Sequence, residues 1–176
     1  MKEEVLNSII KDCQNGIRNA QEQLYRQFYG FAMAIAMRYA RDEHEAADIM
    51  SHAFVKMFRS ISSFDSRKGN FHGWLKRIII NEALDLIKKE SRFNTIELEN
   101  ATEPNINNEI IDKTDAAALM HLIRQLPPAT HAVFVLFAIE GFTHKEIADN
   151  LGIKEGTSKW HLSEARKILQ QKLTMK

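Results

Sequence analysis

The stretch from Gly141 to Leu162 constrains this chain more than any other. Thr143 and Glu146 stand at capping-box spacing, where the hydroxyl and the carboxylate each take up a backbone N–H that the first helical turn cannot bond internally. A helix is therefore expected to start at His144. Ile147, Ala148 and Leu151 form one apolar stripe, and Gly152 then offers the backbone freedom that lets a helix end at positive φ. Beyond Lys154, Glu155 and Gly156, residues Ser158, Leu162, Ala165 and Leu169 recur at helical spacing and are expected to pack inward against the first helix. The pattern is that of a helix-turn-helix, the unit that lays its second helix in the major groove of duplex DNA.

Stepping about 100° per residue from that inward line leaves Thr157, Lys159, Trp160, Ser163, Glu164 and Lys167 on the outer face. This face is the candidate reading surface. An ordinary αα-hairpin also joins two short helices at a glycine. The capping box, the small Ala148, the turn glycine and a basic outer face together favour DNA over that alternative.

Other chemistries find little support. The most apolar run, Phe31 to Met37, stops at Arg38 and is far shorter than the roughly 20 residues that span a bilayer, so no direct membrane insertion is expected. The chain opens with Met1, Lys2, Glu3 and Glu4 and shows no basic segment followed by an apolar one, so no secretory signal is expected and the cytoplasm is the expected location. Cys13 is the single cysteine, which removes an internal disulfide and any cysteine-based zinc site; it reads either as a small packed residue on a helix near the N-terminus or as a redox-sensitive thiol. His44, His52, His72, His121, His131, His144 and His161 include no pair at the i, i+4 spacing of a helical metal site and read as surface or satisfied polar residues. With no Gly-rich phosphate loop and no nucleophile elbow, neither an enzymatic activity nor a cofactor is expected.

Net charge, +1 overall, is unevenly spread. Residues 1–90 carry 14 Lys and Arg against 12 Asp and Glu, residues 91–115 carry 2 against 6, and residues 116–176 carry 8 against 5. The acidic middle is rich in Asn and Glu, holds Pro104 and lacks sustained periodicity, which reads as a linker. It is either a solvated spacer or a tether that rests on basic surfaces when DNA is absent. Apolar residues at helical spacing predict helices over 20–29, 31–39, 44–61 and 71–89 before it, and over 115–125 and 129–140 after it, the last two separated at Pro127 and Pro128. No strand pattern of useful length is present. The expected fold is all-α: a helical domain over 1–90, a flexible acidic linker over 91–114, and a second helical domain over 115–176 that ends in the helix-turn-helix.

In the first domain Trp74, Arg77, Ile78, Asn81, Asp85 and Lys88 lie on one predicted helix, preceded by the polar loop 63–70 with Phe64 and Phe71 nearby. Aromatic faces beside amide and basic groups suit unpaired bases, since every base has a face to stack and an edge to bond. By composition alone, the reading of Trp74 and Phe71 as core anchors beside a solvated basic face is the better one.

The order of motifs along the chain resembles an extracytoplasmic-function sigma factor of the sigma-70 family. Asp48-Ile49-Met50, Ala53 to Arg59, Phe64, Phe71 to Ile78 and Asn81 to Asp85 come first; Leu126-Pro127-Pro128 and the closing helix-turn-helix with Ala165-Arg166 follow. The resemblance covers nearly all of the chain outside the linker and the extreme N-terminus. It implies a non-enzymatic subunit that docks on core RNA polymerase and selects promoter DNA, monomeric when off the polymerase and held by an anti-sigma factor. It further implies that Asp48, Ile49, Phe54, Lys56, Met57 and Phe58 serve the contact with core polymerase. Phe64 and Asn81 would hold a base flipped from the minus-ten element, with Trp74 and Arg77 on the supporting helix. Thr157, Lys159, Trp160, Ser163, Glu164 and Lys167 would meet the minus-thirty-five element.

The chain departs from the family pattern at several places. Ser51-His52 stands where the family usually has Gln-Glu, Ser158 where it has Val, Trp160 where it has a small polar residue, and Glu164 where Arg is common. A carboxylate cannot neutralise phosphate, although it accepts from a cytosine amino group. The other functional classes are a stand-alone helix-turn-helix regulator, dimeric on two half-sites about one helical turn apart, and a pure interaction module.

Overall fold

A computed structural model describes residues 3–89 and 116–174, and among them every regular element is a helix. The acidic segment expected as a linker, 91–114, lies outside the described residues. By contacts the chain divides into two compact units, Met1–Ala83 and Leu84–Lys176.

The first unit contains α1 (Glu3–Gln14), α2 (Arg18–Ala36), α3 (Glu43–Ser60) and most of α4 (Phe71–Lys89), within which the division falls. Helix α1 buries Leu6, Ile10 and Cys13, spaced i, i+4, i+7, and packs on α2. It ends where Gly16 adopts φ +78° and the amides of Gly16 and Ile17 bond the carbonyls of Cys13 and Asp12. The two helices expected over 20–29 and 31–39 are one, ending at Ala36: α2 runs through Gly30, whose missing side chain faces open space and costs only about 1 kcal/mol of propensity. Helix α3 opens on Asp42, whose carboxylate accepts from the Glu45 amide at 2.9 Å. Its apolar side, Ala46, Ile49, Met50, Ala53, Phe54 and Met57, lies in the core. Burial raises the Cys13 thiol to about 11, with a smaller push from Asp12, so it stays protonated at neutral pH and belongs to the packing.

The second unit holds α5 (Ala116–Arg124), α6 (Pro128–Phe134), α7 (His144–Leu151) and α8 (Glu155–Thr174). Pro128 sits in the first turn of α6, where a missing N–H costs nothing. The helix then widens: Val135–Ile139 is π-helical, and the amide of Glu140 bonds the carbonyl of Val135 at 3.0 Å. Helix α8 packs against both α6 and α7. No described helix is long and apolar enough to cross a membrane.

Candidate nucleic-acid interface

The capping box is present as expected. Thr143 accepts from the Glu146 amide through its side chain, and the Glu146 carboxylate accepts from the Thr143 amide at 2.8 Å. Gly152 closes α7 at φ +69°, with its N–H on the Ala148 carbonyl at 2.9 Å. Helix α8 then buries Ser158, Leu162, Ala165 and Leu169, the inward line, and adds His161 to it.

Of the outer-face residues, Lys167 is exposed, and Thr157, Lys159, Trp160, Ser163 and Glu164 are half-buried. One partner was missed. The Lys159 ammonium lies 3.0 Å from the Glu155 carboxylate, and that hydrogen bond and charge, with smaller help from His144 and Lys145, hold the Glu155 carboxyl below its usual range. The i, i+4 spacing of Glu155 and Lys159 was readable in the sequence.

The inner face of α8 is unusually polar. Ser158 is fully buried, with its hydroxyl 2.9 Å from His144 Nδ1. His161 and Thr130 are buried and joined by a 3.0 Å bond between Nδ1 and Oγ1. Loss of water lowers the His161 imidazole to about 4, so it is neutral at physiological pH. His161 is thus a satisfied polar residue of the core.

In the first unit, the turn Ile61–Ser63 leads into an extended Phe64. Gln14 of α1 fastens this connection, its Nε2 donating to the carbonyls of Ile61 at 3.0 Å and Phe64 at 3.2 Å. Arg67 is occupied locally, bonding Asp65 through its backbone and guanidinium, and these bonds draw the Asp65 carboxyl down to about 2. The Asn70 side chain then accepts from the Gly73 amide at 2.7 Å in the first turn of α4.

The aromatic residues form one cluster in which Phe64 and Trp74 both pack on Phe71, ring centroids 5.3 and 5.6 Å away. Phe71 is buried against Phe28, ring centroids 4.9 Å apart, and is a core anchor. Phe64 and Trp74 are half-buried, with centroids 5.2 Å apart. Arg77 and Asn81 are exposed on the same helix, three and seven residues beyond Trp74 and so on its stripe. The structure thus brings Phe64 against Trp74 and aligns Arg77 and Asn81 beyond them.

The six residues of α3 expected at the polymerase contact divide by burial. Ile49, Phe54 and Met57 are buried, and Phe54 packs on Tyr25 with centroids 4.6 Å apart, so these three side chains serve the core. Asp48 and Lys56 are exposed and Phe58 is half-buried; the Lys56 ammonium pairs with the Glu82 carboxylate of α4. Val55, which the sequence reading passed over, is half exposed between them.

Residues 24–93 match the family described as Sigma-70 region 2, and residues 116–169 match Sigma-70, region 4. The chain is 31% identical over 158 residues to ECF RNA polymerase sigma factor SigE of Mycolicibacterium smegmatis, covering 86% of this chain and 61% of that relative's length. It is 27% identical over 184 residues to ECF RNA polymerase sigma factor SigW of Bacillus subtilis, covering 97% of this chain and 98% of the relative. The fold is shared with the sigma factor RpoE of Bartonella quintana, solved with the anti-sigma factor NepR, at TM-score 0.54 and 20% identity over 87% of this chain and 96% of that one.

Proposed function

Because this chain belongs to the sigma-70 family, in its extracytoplasmic-function group, we propose that it acts as an alternative sigma factor, joining core RNA polymerase in the cytoplasm, recognising promoter DNA and starting transcription. It contributes no catalysis of its own. The observation that carries this reading is the presence in one chain of both regions in order, with a capped helix-turn-helix whose outer side chains are exposed or half-buried and a separate unit bearing an aromatic pair beside Arg77 and Asn81.

In this reading Thr157, Lys159, Trp160, Ser163, Glu164 and Lys167 meet the edges and phosphates of the upstream duplex element. Phe64, Trp74, Arg77 and Asn81 hold an unstacked base of the minus-ten element, where stacking on a ring offsets the few kcal/mol that flipping costs. Asp48, Lys56 and Phe58, with Val55, form the polymerase-facing side of α3, while Ile49, Phe54 and Met57 support it from within. An anti-sigma factor is the natural regulatory partner, as in the Bartonella quintana complex, and the protein is monomeric off the polymerase.

The test is run-off transcription from sheared genomic DNA of the source organism with active core polymerase, with and without this protein. Discrete transcripts that require the protein support the reading and deliver its promoters. Binding to duplex half-sites as a dimer, with no association with core, would instead make it a stand-alone regulator.

A further inference from the structure

Ser158 and His144 have no part in any contact proposed above, yet they occupy the joint of the helix-turn-helix. Ser158 is fully buried in the first turns of α8, between the outward-facing Thr157 and Lys159. An apolar residue needs no partner in such a place, whereas a buried hydroxyl does. The partner is His144 Nδ1 at 2.9 Å, on the first residue of α7. His144 is itself held in place: its ring stacks on Phe137 with centroids 4.6 Å apart and planes at 21°. Phe137 belongs to the π-helical segment, a local widening that an unbroken α-helix would not have. One turn further along α8, His161 makes the second buried polar bond, to Thr130 of α6.

Apolar packing is non-directional and tolerates a small roll of one helix on another. A hydrogen bond weakens steeply when its angle or length changes. Two such bonds, three residues apart on α8 and made to two different helices, select one roll out of those that packing alone would allow.

We propose that His144 and Ser158 are positioning residues for duplex recognition: their hydrogen bond, braced by Phe137, fixes the roll of α8 and so the direction in which Thr157, Lys159 and Trp160 meet the bases. The proposal rests on the reading of α8 as the duplex-facing helix. It also accounts for a serine at a place where the family usually carries valine, since the hydroxyl is what His144 engages.

The experiment uses holoenzyme assembled from core polymerase and the full chain, presented with a pool of promoter duplexes randomised across the upstream element. Bound sequences are read out beside the melting temperature of each free variant. The variants S158A, S158V and H144F are expected to keep the parent's melting temperature within a few degrees while their base preference falls by about three- to tenfold. S158T and H144N, which can still form the bond, restore the preference. H144F/S158A loses no more than either single variant, because each removes the same bond. An unchanged preference in S158V and H144F overturns the proposal, as do additive losses in the double variant or losses that follow the melting temperature alone. A parent holoenzyme with no preference in this element overturns the reading of α8 as well.

Discussion

At the scale of single residues, Lys159 already has a carboxylate partner before any DNA arrives. Its bond to Glu155 must be given up or shared when the ammonium turns to a base or a phosphate, and Glu155 itself repels phosphate. Glu155→Gln is expected to raise affinity for duplexes of any sequence and to steepen the dependence of log K on log salt by about 0.9 for the cation released, measured by fluorescence anisotropy across a salt series. Met57→Ala is expected to lower unfolding free energy by about 2–5 kcal/mol in urea titrations, as the loss of a fully buried side chain does. Lys56→Ala, on an exposed ion pair, is expected to cost about 0–1 kcal/mol in the same titrations and to act on core-polymerase affinity instead. The contrast is one of burial: helical period points Ile49, Phe54 and Met57 inward, whereas Asp48, Val55 and Lys56 are open to solvent, and it is these that the proposed docking uses. His161 carries a pH dependence. Its folded value of about 4 lies below the ordinary 6.5, so the unfolded chain binds the proton more readily between the two. Stability is expected to be full above about pH 6.5 and to fall as pH drops toward 4, by on the order of 1 kcal/mol per pH unit, measurable by denaturant unfolding at pH 7 and pH 5.

At the scale of elements, the helix-turn-helix was legible because every local rule agrees on it: the capping box, the apolar stripe and the left-handed glycine point to the same boundaries. Thr143→Ala is expected to cost about 0.5–2 kcal/mol of stability, read from the melting curve, since it leaves the Glu146 amide without its side-chain acceptor. Other elements were less readable for physical reasons. Gly30 looks like a breaker in a pattern, yet a helix whose neighbouring turns bury Phe28 and Ala32 carries one exposed glycine without ending. Helix α1 is anticipated in the sequence only as a helix around Cys13 without bounds; Leu6, Ile10 and Cys13 mark the face that packs on α2, while Val5 stays half exposed. The π-helical widening at Val135–Ile139 has no sequence signature; it is defined by backbone bonds such as that from the Glu140 amide to the Val135 carbonyl. The buried partnership of Thr130 with His161 was likewise hidden, since the two residues are far apart in the chain and each alone reads as polar.

At the scale of the whole molecule, the chain divides into two units, and the proposed function assigns a separate step to each. Lys159→Ala is expected to weaken holoenzyme binding to duplex promoter by about 1–3 kcal/mol if the contact is bidentate to guanine. Asn81→Ala is expected to leave that binding mostly intact and to slow strand opening, followed by permanganate reactivity of unpaired thymines. Equal loss of both steps in either variant would contradict the division of labour. The bonds from Gln14 to the carbonyls of Ile61 and Phe64 carry a consequence of another kind. The family match in this unit begins at residue 24, inside α2, whereas Leu6, Ile10, Cys13 and Gln14 lie upstream of it. A gene fragment cut at that border would keep every residue by which the family is recognised and would discard the helix to which the Phe64 segment is fastened. What makes the unit recognisable and what keeps it taut are written in different parts of the chain.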